Sequence, residues 1–490
     1  MAMTPPGQGP TTFVPAAFLL GFRWRHGCCR AAFGIDFRAL DRFRRWLVAR
    51  CFRQSRATRK GHQGMAEGDN QHGVSRRGLL KRSGTAALLA AVQQAFPSGA
   101  FAAGAGPEVT RAKLGFIALT DAAPLIIARE LGFFAKYGMP DVQVAKQASW
   151  GATRDNLVLG SAGGGIDGAH ILTPMPYLLT LGAIGKATPM SILARLNVNG
   201  QAISVSKEYL GARADLNAGK MKGVIAQRKA AGKKISMAMT FPGGTHDMWL
   251  RYWLAAGGID PDKDVELITV PPPQMVANMK ADTMDAFCVG EPWNDQLVAQ
   301  QLGYTAVSTG QMWMNHPEKS FAMRSDWVAK YPRAALAITA AIIEAQRWAD
   351  NPGNIARLAG TIAGRDYLKC PITDIADRLQ GNFTMGDGRK FPNAAFRMKF
   401  FAGYASFPYK SHDLWFLTEN QRWGKLPMTL DSKGVIAKVN RSDIWRKAAA
   451  MLGGKGPASD SRGVEKFFDG KTFDPANPKA YLASLAIKRV

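Results

Sequence analysis

The chain has 490 residues, 47% of them hydrophobic and 10% aromatic, a composition that supplies a large buried core and excludes a disordered, collagen-like or small disulfide-stapled protein. The formal net charge of +26 would suit a polyanion only if it lay along the fold. Instead it gathers at the front, where residues 1–64 hold twelve Arg and Lys against Asp36 and Asp41 and no long basic run follows, so nucleic acid is not an expected partner.

Taken in chain order, residues 1–64 are a basic extension without periodic structure, and Met65 is an alternative start of translation. Residues 65–102 carry Ser75-Arg76-Arg77-Gly78-Leu79-Leu80-Lys81, then an apolar stretch from Gly84 to Ala95, then Ala100-Phe101-Ala102 in the small-x-small form of a cleavage site. That order predicts a twin-arginine export signal cut after Ala102, with a free periplasmic product, since no cysteine follows at which a lipid could attach. No uninterrupted apolar run reaches the roughly 18 residues of a spanning helix.

From Ala112 short apolar runs alternate with amphipathic stretches: KLGFIAL, Asp121 to Leu131, VQVAKQA, Gly151 to Leu159, GIDGAHIL, Met175 to Leu181 and MSILARL. This repeated strand–helix pattern predicts an α/β lobe, with Thr120 or Asp121 capping the first helix and Gly132 and Gly138 at helix ends. QAISVS leads through a Lys-rich stretch, 207–234, to a second series: ISMAMT, Asp247 to Ala256, VELITV, Gln274 to Lys280, DAFCVG and Asn294 to Leu302. A long helix, Arg333 to Ala349, is expected to pack back on the first lobe. The expected division is lobe 1 over 103–203, lobe 2 over 204–310, a return to lobe 1 over 311–380, and an aromatic, loop-rich wrap over lobe 1 from 381 to 490.

Ligands of open α/β sheets sit beyond the carboxyl ends of strands, where following helices aim unpaired N–H groups. Two loops fit: Ser149-Trp150-Gly151, and Pro242-Gly243-Gly244-Thr245-His246, whose adjacent glycines and Thr N-cap suit a small anion. No GxSxG, HExxH, Walker or dinucleotide pattern occurs, and the late cysteines, Cys288 and Cys370, have neither metal spacing nor a His at a family-specific offset. Catalysis, a cofactor and a metal are not expected. Cys288 in DAFCVGEPW reads as a buried strand residue. Taken alone, Trp150 stands equally for core or site, His246 for helix-cap duty and Lys319 for plain surface.

The stretches GFIALTDAAPLIIARELGFFAKYGMPDV, KQASWGATRDNLVLG, IDGAHILTPMPYLL, TFPGGTHDMWLRYWLAAGGIDPDKDV, VPPPQMVANMK, DAFCVGEPWN and YKSHDLWFLTENQRWG closely resemble the periplasmic nitrate-binding proteins of ABC transporters and their bicarbonate-binding relatives. The resemblance runs from Ala112 to about Leu452. It implies a bilobal type 2 periplasmic-binding fold closing on one oxyanion, no enzymatic activity, and as partners a membrane permease, its ATPase and the twin-arginine export machinery. It implies ligand contacts at Trp150, Gln201, His246, the backbone around Gly290, and Lys319, with Pro272, Gly244 and Thr245 lining the cleft.

Nitrate is planar, singly charged and without a proton, so it needs donors on all sides, and every one of these contacts can donate. Bicarbonate carries a hydroxyl that must itself donate, and the resemblance implies an acidic residue and a metal ion in bicarbonate binders where nitrate binders have lysine. Here Lys319 in HPEKS takes that place, although a register shift of one residue would put Glu318 there. Nitrate is therefore the expected ligand, nitrite a second. The alternatives are a bicarbonate-binding transporter component, a cytoplasmic nitrate sensor of the same family, and an enzyme on the same fold with Cys288 as nucleophile.

Overall fold

The computed structural model describes residues 106–489; the expected extension, export signal and cleavage point lie outside them. Two five-stranded sheets carry the fold. The first takes β1 (Lys113–Phe116), β2 (Gln143–Lys146), β3 (Gly168–Leu172) and β4 (Met190–Arg195), the second β5 (Gln201–Ser206), β6 (Ser236–Met239), β7 (Glu266–Thr269), β8 (Ala286–Gly290) and β9 (Gly303–Ser308), after which β10 (Lys319–Arg324) returns to the first.

The strand orders are β2-β1-β3-β10-β4 and β7-β6-β8-β5-β9. In each sheet the strand that arrives from the other lobe is the antiparallel one: β10 against β3 and β4, β5 against β8 and β9. The remaining pairings, β1 with β2 and β3 and β6 with β7 and β8, are parallel. This mixed, helix-covered arrangement is the expected two-lobed α/β fold. β3, β5 and β8 are buried at every position; β8, AFCVG, accordingly reads as a continuous apolar run, whereas β5, QAISVS, buries polar side chains that find partners, Ser204 donating to Asn294 and Gln201 to Asp121.

Because Gln201 already pairs with Gly290 in the second sheet, the first lobe ends before residue 201 and not at 203. The Pro332–Ala349 helix, on which Ile338, Ile342 and Ile343 are fully buried, packs on the Ala123–Glu130 helix of the first lobe. Each such side chain contributes about 1.5–3 kcal/mol by leaving water.

The C-terminal segment differs from the expected loop-rich wrap over lobe 1. It contains helices Lys410–Arg422, Ser432–Val439 and Ser442–Met451, and it grips both lobes. Asp413 pairs with Arg195 at the end of β4, and seven residues on, Asn420 Nδ2 donates to the Gly243 carbonyl of the second lobe at 3.2 Å. Trp415 stacks on Trp249 of the second lobe, with ring centroids 5.0 Å apart. Every residue of the Lys410–Arg422 helix after Lys410 is buried. A helix enclosed on all sides has no polar face, so the period that reveals a surface helix is missing. Among the described residues no helix is long and apolar enough to cross a membrane.

Candidate functional site

The lobes meet where β1 ends. Trp293 of the second lobe donates its indole N–H to the Ala118 carbonyl at 3.0 Å, and Thr120 N–H donates to the Glu291 carbonyl at 2.8 Å. Asp121 follows directly. Thr120 or Asp121 was expected to cap the helix, but a short 3₁₀ turn (Thr120–Ala122) intervenes, and the Ala123–Glu130 helix has Ala122 at its N-cap with no side-chain cap. The Asp121 carboxylate is thus free for other partners.

It takes three. Asp121 Oδ1 accepts from His170 Nε2 at 2.6 Å, and Oδ2 accepts from Gln201 Nε2 at 2.8 Å and Lys319 Nζ at 2.9 Å. These bonds fix the neighbours. Because Gln201 gives its amide N–H to a carboxylate, its Oε1 faces the other way and accepts from His246 Nε2 at 2.6 Å, which leaves His246 Nδ1 to accept from the Thr240 hydroxyl. At the other end Ile117 N–H donates to His170 Nδ1. A buried relay from Thr240 to Ile117 thus joins the second lobe to the first through Gln201 and Asp121.

Lys319, the first residue of β10, is fully buried. Its ammonium is shared between Asp121 and Glu318 and lies 5.8 Å from the centroid of the Trp150 ring. Burial opposes its charge, but the two carboxylates outweigh burial and raise its pKa. Burial alone would raise the Asp121 carboxyl; Lys319 and His170 hold it below the usual carboxylate range. Glu318 has less support, and burial pushes its carboxyl up to about 7 against the pull of Lys319. Its Oε1 has no hydrogen-bond partner, His246 Nε2 being 3.6 Å away. His246 and His170 are held neutral, first by burial.

Trp150 opens the Trp150–Leu159 helix, one residue earlier than expected, after Ser149, whose hydroxyl accepts from Ala152 N–H as the N-cap. Its ring is buried at 5.4 Å from that of His170, and its Nε1 has no partner in the fold. Gly290 faces the same cluster: a Cβ there would lie 2.7 Å from Gln201 Oε1 and 3.3 Å from Asp121 Oδ2. Only glycine allows that approach.

Trp150, Gln201, His246, Gly290 and Lys319 therefore meet in one place. The glycine loop is arranged differently from the expected anion cradle. The N-cap of the Thr245–Ala256 helix is Gly244 and not Thr245, and the Gly243 and Gly244 N–H groups are taken by Asp247 and by the Phe241 carbonyl. Gly244 is instead where the lobes touch, a Cβ there falling 2.6 Å from Leu172 Cδ1, and Thr245 is buried with its hydroxyl beside Glu318. Pro272 is buried in a turn after β7, and no hydrogen bond or ion pair joins it to the cluster. Asp121 and His170 are the members that sequence reasoning missed.

Among the described residues no group of three or more His, Cys, Asp and Glu could hold a metal ion. Cys288 is fully buried in β8, and burial raises its thiol well above the ordinary range, the reverse of an activated nucleophile.

A model of the NMT1-like family matches residues 105–363. The nitrate/nitrite binding protein NrtA of Synechococcus elongatus is 58% identical over 399 residues, covering 80% of this chain and 90% of that protein. The bicarbonate-binding protein CmpA of the same organism is 45% identical over 403 residues, 79% of this chain and 89% of that protein. Among solved structures, the periplasmic nitrate-binding protein NrtA from Synechocystis PCC 6803 superposes with a TM-score of 0.76 at 57% identity, over 78% of this chain and all of that one.

Proposed function

This chain belongs to the NMT1-like family, and we propose that it is the substrate-binding component of an ABC transporter, capturing nitrate, and nitrite as a second ligand, between its lobes and passing it to a permease and ATPase. The observation that supports this reading best is the buried Lys319 ammonium beside the unpartnered Trp150 indole N–H, in a chain more similar to the nitrate/nitrite binder, at 58% identity, than to the bicarbonate binder, at 45%.

Nitrate enters as a set of acceptors without a proton. The Trp150 N–H has no other bond to give up and the Lys319 ammonium supplies the opposite charge, while the Gln201 amide and the His246 imidazole, whose N–H groups are already bonded to Asp121 and Gln201, would reorient toward an anion held beside Gly290. A desolvated anion without such a charge costs several kcal/mol. Asp121 and Glu318 already share Lys319, so the incoming charge is best accommodated with Glu318 protonated, as its raised pKa favours.

The export half of the reading rests on residues 65–102: the arginine pair, apolar stretch and small-x-small site carry the protein by the twin-arginine route to the periplasm. Fractionation with and without that segment tests it, retention in the cytoplasm of the intact chain being the adverse result. For the ligand, calorimetric titration of the mature protein with nitrate, nitrite and bicarbonate should give saturable 1:1 heat for the first two through the Lys319 site. Bicarbonate binding at that site in place of nitrate would overturn the assignment.

A further inference from the structure

Away from the Asp121 cluster, a cavity of about 110 Å³ lies where both crossings between the lobes meet the C-terminal segment. Val198 from the first crossing, Pro317 from the second and Lys399 from the C-terminal segment line it, and their backbones are bridged, Val198 to Pro317 and Val198 to Lys399. Whatever occupies this cavity touches both segments that cross between the lobes.

The charges around it do not cancel. Arg195 is paired with Asp413, and Arg462 with Glu465. Lys399 donates to Asn315 Oδ1 at 3.0 Å and makes no ion pair within 4 Å among the described residues, and burial together with Arg397 makes its charge costly, a cost that the more distant Asp350 does not offset. One positive charge without a direct ion-pair partner is left in a half-buried wall.

Two polar atoms of lining side chains are buried and have no hydrogen-bond partner: Arg195 Nε and His412 Nδ1. Arg195 is fully buried and His412 is 2% exposed. The guanidinium nitrogen can only donate. His412 Nε2 faces the Glu465 carboxylate at 3.2 Å and so carries the ring proton, which leaves Nδ1 a lone pair that can only accept. An orphaned buried donor and an orphaned buried acceptor both need a partner.

We propose that this cavity is a second anion site, for a small oxyanion that also carries a hydroxyl. Its negative charge answers Lys399, an oxygen accepts from Arg195 Nε–H, and the hydroxyl donates to His412 Nδ1. Nitrate and nitrite lack the hydroxyl and would leave His412 unpaired, so the two sites select different chemistry. Tyr404, in left-handed backbone conformation with φ of 61°, stands at the wall of the same cavity, a conformation a tyrosine adopts only when its surroundings impose it.

The test uses the mature protein saturated with nitrate, titrated by calorimetry with bicarbonate, glycolate and acetate. Bicarbonate or glycolate should bind one further equivalent, and acetate, with the charge but no hydroxyl, about tenfold or more weakly, the consequence of an unpaired buried acceptor. Lys399→Met, at a half-buried position outside the core, should abolish that second binding and leave nitrate affinity within about twofold of the parent. Absence of saturable heat from both hydroxylated anions, equal binding of acetate, or second binding indifferent to Lys399→Met would each overturn the proposal. Loss of nitrate binding itself would count against the interlobe reading alone, since the Lys399 variant still identifies which cavity takes the hydroxylated anion.

Discussion

The Gln201 amide of the second lobe donates to the Asp121 carboxylate of the first at 2.8 Å, and this bond orients the whole cleft. By presenting its N–H to Asp121, Gln201 turns its oxygen to His246 and sets that ring's tautomer. By accepting from Gln201, His170 and Lys319 together, Asp121 gathers three donors at one carboxylate. The cleft is thus a preorganised polar network in which the anion-facing groups are held by a residue of opposite sign to the one expected to attract nitrate.

Asp121→Asn should therefore destabilise the protein strongly. Asparagine offers one oxygen where two are used, and its N–H₂ would face either the His170 or the Gln201 and Lys319 donors. Removing one partner of a buried charge pair costs about 3–5 kcal/mol, and urea unfolding should show a loss of that size. An unfolding midpoint equal to the parent's would mean that Asp121 is not ionised in the fold.

Trp150→Phe separates ligand binding from folding. The indole N–H has no partner in the fold, so its removal leaves nothing unpaired, while a nitrate oxygen loses a donor. Nitrate affinity should fall by about 1–2 kcal/mol, with thermal stability little changed. A variant that binds nitrate as the parent does would place Trp150 among core residues only.

Much of this was legible in the sequence. The strand–helix alternation located eight of the ten strands of the two sheets, β1 to β8, because buried strands are short apolar runs bounded by turn residues; it did not mark β9 and β10, and the family resemblance named Trp150, Gln201, His246, Gly290 and Lys319. Asp121 was hidden because an acid just ahead of a helix reads as an N-cap, and only the 3₁₀ turn at Thr120–Ala122 releases it. His170 sits in the apolar run GAHIL, where a histidine carries no pattern of its own. The Lys410–Arg422 helix was read as loop because its polar residues, Asp413, Glu419 and Asn420 among them, are buried against partners distant in sequence.

Glu318 should make nitrate affinity depend on pH. Its carboxyl is raised from 4.5 to about 7, so the folded protein holds this proton more tightly than the unfolded chain; the stability it brings is full below the ordinary value and is lost as pH rises through about 7. The proton also removes a negative charge next to the incoming anion. Nitrate affinity should accordingly fall between about pH 6 and about pH 8, by at most about tenfold per unit. Asp121 is shifted down and Lys319 up, both away from that window, and burial shifts His170 and His246 downward as well. Glu318→Gln should flatten the profile; a slope that persists in this variant would assign the titration elsewhere.

Lys319 is the residue on which the proposed ligand identity turns. Lys319→Glu places a third carboxylate against Asp121 and Glu318, replaces attraction with repulsion in a desolvated cleft, and should abolish nitrate binding. Lys319→Gln keeps an N–H donor, satisfies Asp121 in part and loses only the charge, so a weakening of about 2–4 kcal/mol is expected. Circular dichroism separates this from unfolding, because the Gln variant retains a hydrogen-bond partner for each carboxylate while the Glu variant does not. Calorimetry on both variants reads the result. Nitrate binding at the parent's affinity in the two of them would remove the cleft at Lys319 as the site, whatever the similarity of the chain to nitrate binders.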